Sequence, residues 1–99
     1  MERRKEPRYQ VDAHAEVICG DDRFDATVTE ISKHGIRLKS ADFVEPGRKV
    51  KMVVFLGSPE RVSGEVMWVL AEPKEGTVTY RMGIYCESGG VITGERESD

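Results

Sequence analysis

Residues 24–39 read Phe24-Asp25-Ala26-Thr27-Val28-Thr29-Glu30-Ile31-Ser32-Lys33-His34-Gly35-Ile36-Arg37-Leu38-Lys39. Phe24, Ala26 and Val28 alternate with Asp25, Thr27 and Thr29, and after a polar corner Ile36 and Leu38 alternate with Arg37 and Lys39. A period of two is the signature of a strand with one buried face, so the corner Glu30 to Gly35 joins two half-buried strands. Its carboxylate, hydroxyl and glycine suit a turn, because glycine takes positive φ without steric penalty, and equally suit a small polar binding site.

The same alternation extends in both directions. Upstream, Ala13, Ala15, Val17 and Cys19 alternate with His14, Glu16 and Ile18, and Gly20-Asp21-Asp22 supplies the turn of a hairpin. Downstream, Glu45-Pro46-Gly47-Arg48 reads as a type II turn, with proline and glycine at its middle positions. Val50, Met52, Val54 and Leu56 then form one strand face, and Gly57-Ser58-Pro59 turns the chain. Val62, Gly64, Val66, Trp68 and Leu70 form the next face, which places Trp68 in the core with its rim near any ligand. A loop over Glu72 to Gly76 leads to a last strand carrying Val78, Tyr80, Met82, Ile84 and Cys86. No helical period competes. Six short strands with tight turns predict an all-β fold, a small six-stranded antiparallel barrel, which closes its own edges and gathers the inward residues into one core. An open sandwich is the alternative.

Ninety-nine residues make one domain. We divide it into a basic arm over residues 1–12, a barrel over 13–87 and a flexible tail over 88–99. Hydrophobic residues are 38% of the chain and charged residues 33%, and no apolar run approaches the roughly 20 residues of a membrane span. The basic N-terminus is followed by no apolar stretch of a secretory signal, so the cytoplasm is the expected compartment. Cys19 and Cys86 fall on inward strand positions and read as small buried hydrophobes with reduced thiols. A net charge of -3 disfavours a broad DNA- or RNA-binding face and leaves room for a local basic patch. Arg3, Arg4, Lys5 and Arg8 are that patch, on a segment that Pro7 keeps from being helical.

No catalytic constellation is present. His14 and His34 lie at no metal-ligand spacing from a second histidine or cysteine, and no glycine-rich phosphate loop precedes a helix. Ser32 and His34, two residues apart on a short turn, read as turn residues rather than as nucleophile and base. We therefore expect a binding protein, not an enzyme, with no metal and no cofactor. Lys33, His34 and Arg37 read as solvent-facing turn and strand residues able to assist a phosphate contact.

The arm and the corner occur in an order that resembles the PilZ-domain family. Arg4-Lys5-Glu6-Pro7-Arg8 matches its R-x-x-x-R signature, with Arg3 as the frequent extra arginine in front, and Glu30-Ile31-Ser32-Lys33-His34-Gly35 matches D/N-x-S-x-x-G with glutamate in the first position. Gly64-Glu65-Val66-Met67-Trp68 and Met82-Gly83-Ile84-Tyr85 extend the resemblance to about residues 3 to 87. The resemblance implies a bacterial barrel that binds the second messenger cyclic di-GMP and signals through a protein partner. It assigns Arg3, Arg4, Arg8, Glu30, Ser32 and Gly35 to the ligand. An arginine fork suits phosphate and the guanine O6 and N7 atoms, and a carboxylate at position 30 suits the guanine N1–H and N2–H donors. Arg3 either adds a third fork that lets two interleaved ligands bind or contributes diffuse charge. The alternative function is a degenerate PilZ domain, a protein-interaction module without nucleotide binding, and glutamate at position 30 is the feature that carries it. A small nucleic-acid-binding barrel lacks the aromatic residues alternating with basic ones that it would need.

Overall fold

The computed structural model describes residues 7–87. Arg3, Arg4 and the 88–99 segment lie outside them. Six strands follow in chain order: β1 Tyr9–Cys19, β2 Asp22–Ile31, β3 Gly35–Ser40, β4 Lys49–Leu56, β5 Ser58–Lys74 and β6 Thr77–Tyr85. All neighbours are antiparallel, and the order β1-β2-β3-β6-β5-β4 closes through pairing of β1 with β4 into a barrel. Closure leaves no full-length edge strand to template aggregation. β5 makes closure possible by its length. Its first half, Ser58 to Glu65, pairs with β4 and its second half, Glu65 to Lys74, pairs with β6.

The alternating residues fill the barrel. Ala13, Ala15, Val17, Cys19, Ala26, Val28, Ile36, Leu38, Val50, Met52, Val54, Val62, Val66, Met82, Ile84 and Cys86 are all buried in one cluster, with Phe24 and Tyr80 packed against it. Both cysteines are free thiols in that core. The turns follow their sequence chemistry: Gly20, Gly47 and Gly57 have positive φ, and the Arg48 amide donates to the Glu45 carbonyl at 3.3 Å, closing the type II turn.

Outside the corner, three features differ from the expected strands. β1 begins at Tyr9, ahead of Ala13, because Val11 continues the inward series and packs against the core, and the register shift between Gln10 and Ala13 takes up the change of phase in β2 opposite. The loop read over Glu72 to Gly76 is strand down to Lys74 and up from Thr77, joined by Glu75 and Gly76, both at positive φ as the tightest hairpins require. Pro73 pairs with Val78 there, beyond the end of the β4 pairing, where a missing N–H interrupts no central ladder. The third difference is a β-bulge in β5, between Val66 and Trp68, opposite Ile84 and Gly83 of β6. The extra residue reverses the phase: Val66 is buried, Met67 is exposed, and Val69 rather than Trp68 or Leu70 packs against the core. Trp68 is therefore not a core residue. Its indole lies on the outer surface, half-buried.

Candidate functional site

β2 carries a second bulge. Val28 pairs with Leu38 and Glu30 with Arg37, so Thr29 has no counterpart on β3, and its hydroxyl donates to the Arg37 carbonyl at 3.4 Å. Unbroken alternation after the buried Val28 would turn Glu30 inward. The inserted residue turns Glu30 to the outer face and Ile31 into the core, where it is 5% exposed. The bulges in β2 and β5 flank the pair β3 and β6, and together they create one line of residues across four strands. Glu30 of β2 lies opposite Arg37 of β3, Arg37 opposite Gly83 of β6, and Gly83 opposite Trp68 of β5.

Gly83 decides how that line packs. A Cβ built there would fall 2.3 Å from the Trp68 indole nitrogen, so the ring occupies the space a side chain would take. With no side chain between them, Arg37 reaches across β6, and its guanidinium carbon lies 5.7 Å from the centre of the Trp68 ring, within cation–π range. On its other side Arg37 Nη1 is 3.8 Å from Glu30 Oε1, and the second carboxylate oxygen, Oε2, is 3.7 Å from Arg8 Nε. The Glu30 side chain is only 15% exposed, against 40% for Arg37 and 63% for Arg8.

The corner completes the recess. The Ser32 amide donates to the Gly35 carbonyl at 2.9 Å, and the Cys86 amide donates to the His34 carbonyl at 2.8 Å, so the corner is closed on itself and tied to the end of β6. His34 and Tyr85 stack with ring centres 6.2 Å apart. The Ser32 hydroxyl stands 3.1 Å from where a Gly35 Cβ would be, so a larger residue at position 35 would press on it. A hollow of about 220 Å³ results, lined by Arg8, Glu30, Ser32, His34, Gly35, Arg37, Met67, Trp68, Gly83 and Tyr85 among others. That is smaller than the roughly 300–1,000 Å³ of sites that enclose a small molecule, so the recess seats one part of a ligand and leaves the rest on the surface. A larger hollow of about 510 Å³, which shares Tyr85 with the recess, is lined by Ile18, Lys49, Lys51, Ser63 and Glu65 among others, and among the described residues none of Arg8, Glu30, Ser32 and Gly35 reaches it.

The profile of the PilZ domain matches residues 2–91, nearly the whole chain. The chain belongs to the PilZ domain family. That family consists of regulatory binding modules. In the recess, polar and aromatic groups converge from several strands. No curated protein matches the chain. Among solved structures, the Bacillus subtilis inhibitor of motility MotI/DgrA is similar, with a TM-score of 0.68 at 14% identity. The match covers 94% of this chain and 46% of that one, so this PilZ domain spans about half the length of the Bacillus protein. At that identity the likeness concerns the fold. Among the described residues no helix is long and apolar enough to cross a membrane.

Four of the six site residues expected from sequence, Arg8, Glu30, Ser32 and Gly35, line one recess. Arg3 and Arg4 lie outside the described residues. Trp68, Gly83 and Arg37 were not assigned to the site by the motifs, and all three line the same recess. The run Met67-Trp68-Val69-Leu70, four apolar residues in succession, was the available signal that the alternation changes phase at the tryptophan.

Proposed function

We propose that this PilZ domain is a receptor and adaptor for cyclic di-GMP that acts in the cytoplasm through a protein partner. The observation that carries the reading is the cross-strand line Glu30, Arg37, Gly83, Trp68 with Arg8 at its end. It offers two guanidinium forks, an aromatic ring, a carboxylate and the Ser32 hydroxyl within one shallow recess. Cyclic di-GMP is a dianion with two flat guanines. Arginine forks donate in pairs to phosphate oxygens or to guanine O6 and N7, and their planes stack on bases, which a lysine ammonium does not do. Because the recess is shallow, the remaining ligand surface falls to Arg3 and Arg4, and a ligand held between them and the recess changes the face offered to a partner. The name of the similar Bacillus protein speaks of inhibition of motility rather than of a reaction, and a module that acts by binding a protein fits the same pattern here.

Calorimetric titration of the full chain with cyclic di-GMP tests this. We expect saturable binding, lost or greatly weakened in Arg4→Ala and Arg8→Ala. The fold should persist in Arg8→Ala, because the Arg8 side chain is 63% exposed and lies outside the core, and its contact with Glu30 is a long one at 3.7 Å. Absence of binding, or unchanged affinity in both variants, contradicts the assignment. The degenerate alternative, a protein-interaction barrel without nucleotide, draws on Glu30, whose carboxylate already offsets part of the charge that a dianion needs. The same titration separates the two.

A further inference from the structure

We propose that Glu30 is a positioning residue: its carboxylate bridges Arg8 and Arg37 and holds the two guanidinium groups as one phosphodiester cradle, instead of meeting a guanine edge itself. This inference rests on the cyclic di-GMP reading of the site. Each carboxylate oxygen faces a different arginine, Oε2 toward Arg8 Nε at 3.7 Å and Oε1 toward Arg37 Nη1 at 3.8 Å. Both separations exceed the hydrogen-bond range of about 2.7–3.2 Å, so the carboxylate restrains the forks by charge without taking those donors in short hydrogen bonds. Exposure gives the layering. Glu30 is the most covered of the three side chains, so an incoming ligand meets guanidinium groups before it meets the carboxylate.

Arg37 is held from two sides, by Glu30 at one and by the Trp68 ring, 5.7 Å away, at the other. One flank of its guanidinium is thereby committed to tryptophan, and the opposite flank is the one a ligand approaches. The charge of the bridge itself supports an anion: among the described residues, the Arg8 and Arg37 guanidinium groups and the Glu30 carboxylate leave a net positive charge. A carboxylate lying between two cations is, for the same reason, a poor acceptor for a neutral guanine edge. The length of glutamate also follows. Residue 30 stands between Gln10 of β1 and Arg37 of β3, and its two oxygens must serve arginines on both sides of β2. Aspartate, one methylene shorter, draws the carboxylate back toward β2 and lengthens both separations, which already stand at 3.7 and 3.8 Å.

A double-mutant cycle read by calorimetry with cyclic di-GMP distinguishes positioning from direct contact. Glu30→Gln keeps the size and removes the charge; we expect it to weaken binding about 10-fold in the native chain and about 3-fold or less in an Arg37→Ala background, a coupling typical of residues in one network. Equal losses in both backgrounds would overturn the proposal, because a group that contacts the base directly loses the same contact either way. Glu30→Asp should weaken binding to a similar degree as Glu30→Gln, and affinity equal to or better than that of glutamate would also overturn it. A ligand-free measurement keeps the bridge testable by itself. Trp68 is the single tryptophan of the chain, and its indole N–H resonance should move in the same direction in Glu30→Gln and Arg37→Ala, as Arg37 leaves the ring. An unmoved resonance in Glu30→Gln refutes the bridge. If the native chain failed to bind cyclic di-GMP, the functional reading would fall while the resonance still decided the bridge.

Discussion

Substituting Gly83 by alanine places one methyl group under the Trp68 indole. The added Cβ would lie 2.3, 2.4 and 2.9 Å from ring atoms Nε1, Cε2 and Cζ2. Carbon atoms in contact stay about 3.5–4.0 Å apart, so the ring must rise by more than about 1 Å. Overpacking of a rigid core costs about 1–3 kcal/mol, but Trp68 is half-buried and can swing toward solvent, which keeps the loss near about 1–2 kcal/mol including the Arg37 stack. For a domain of this size that lowers Tm by about 4–16 °C. The same movement releases Arg37 from one of its two supports, so affinity for cyclic di-GMP should fall about 10-fold, the equivalent of about 1.4 kcal/mol. Thermal unfolding followed by circular dichroism, with calorimetry on the folded variant, reads both effects. An unchanged Tm together with unchanged affinity would refute the packing described for Trp68 and Gly83.

Gly64→Ala should destabilise more than Gly83→Ala, by about 3 kcal/mol, because its Cβ would meet the Tyr85 carbonyl and Ile84 Cγ2 at 2.6 Å and backbone does not swing aside; chemical denaturation of the two variants side by side checks the order. Burial pushes the Cys86 thiol up from 9.0 to about 11. Between those values the unfolded chain releases the proton and the folded chain keeps it, so the contribution of this group is intact below about pH 9 and falls by about 2–3 kcal/mol as pH rises to about 11. Denaturation midpoints over that window should decline more steeply in the native chain than in Cys86→Ala, and parallel profiles would remove Cys86 as the cause.

The strands were legible because inward positions repeat every second residue from Ala13 to Cys19 and from Val50 to Val54, and the turns because glycine stands where φ is positive. Glu30, Ser32 and Gly35 were legible as a motif. Their orientation was not, since a strict period of two turns Glu30 inward, and only the extra Thr29 sends it out. The same physics hid Trp68: a bulge adds one residue without changing composition, and an apolar side chain on the outer face looks, in sequence, like one on the inner face. Arg37 was visible as an outward strand residue, but its place over Trp68 depends on the empty position at Gly83, opposite it on β6 and far from it in sequence.

The central claim is that cyclic di-GMP binds at the line Glu30, Arg37, Gly83, Trp68, and amide chemical-shift mapping of the full chain during a titration tests it most directly. Saturating shifts should concentrate at residues 30–37, at Gly83 and at the Trp68 indole N–H. Shifts confined to the larger hollow around Ile18, Lys51 and Ser63, or none at saturating ligand, would contradict it.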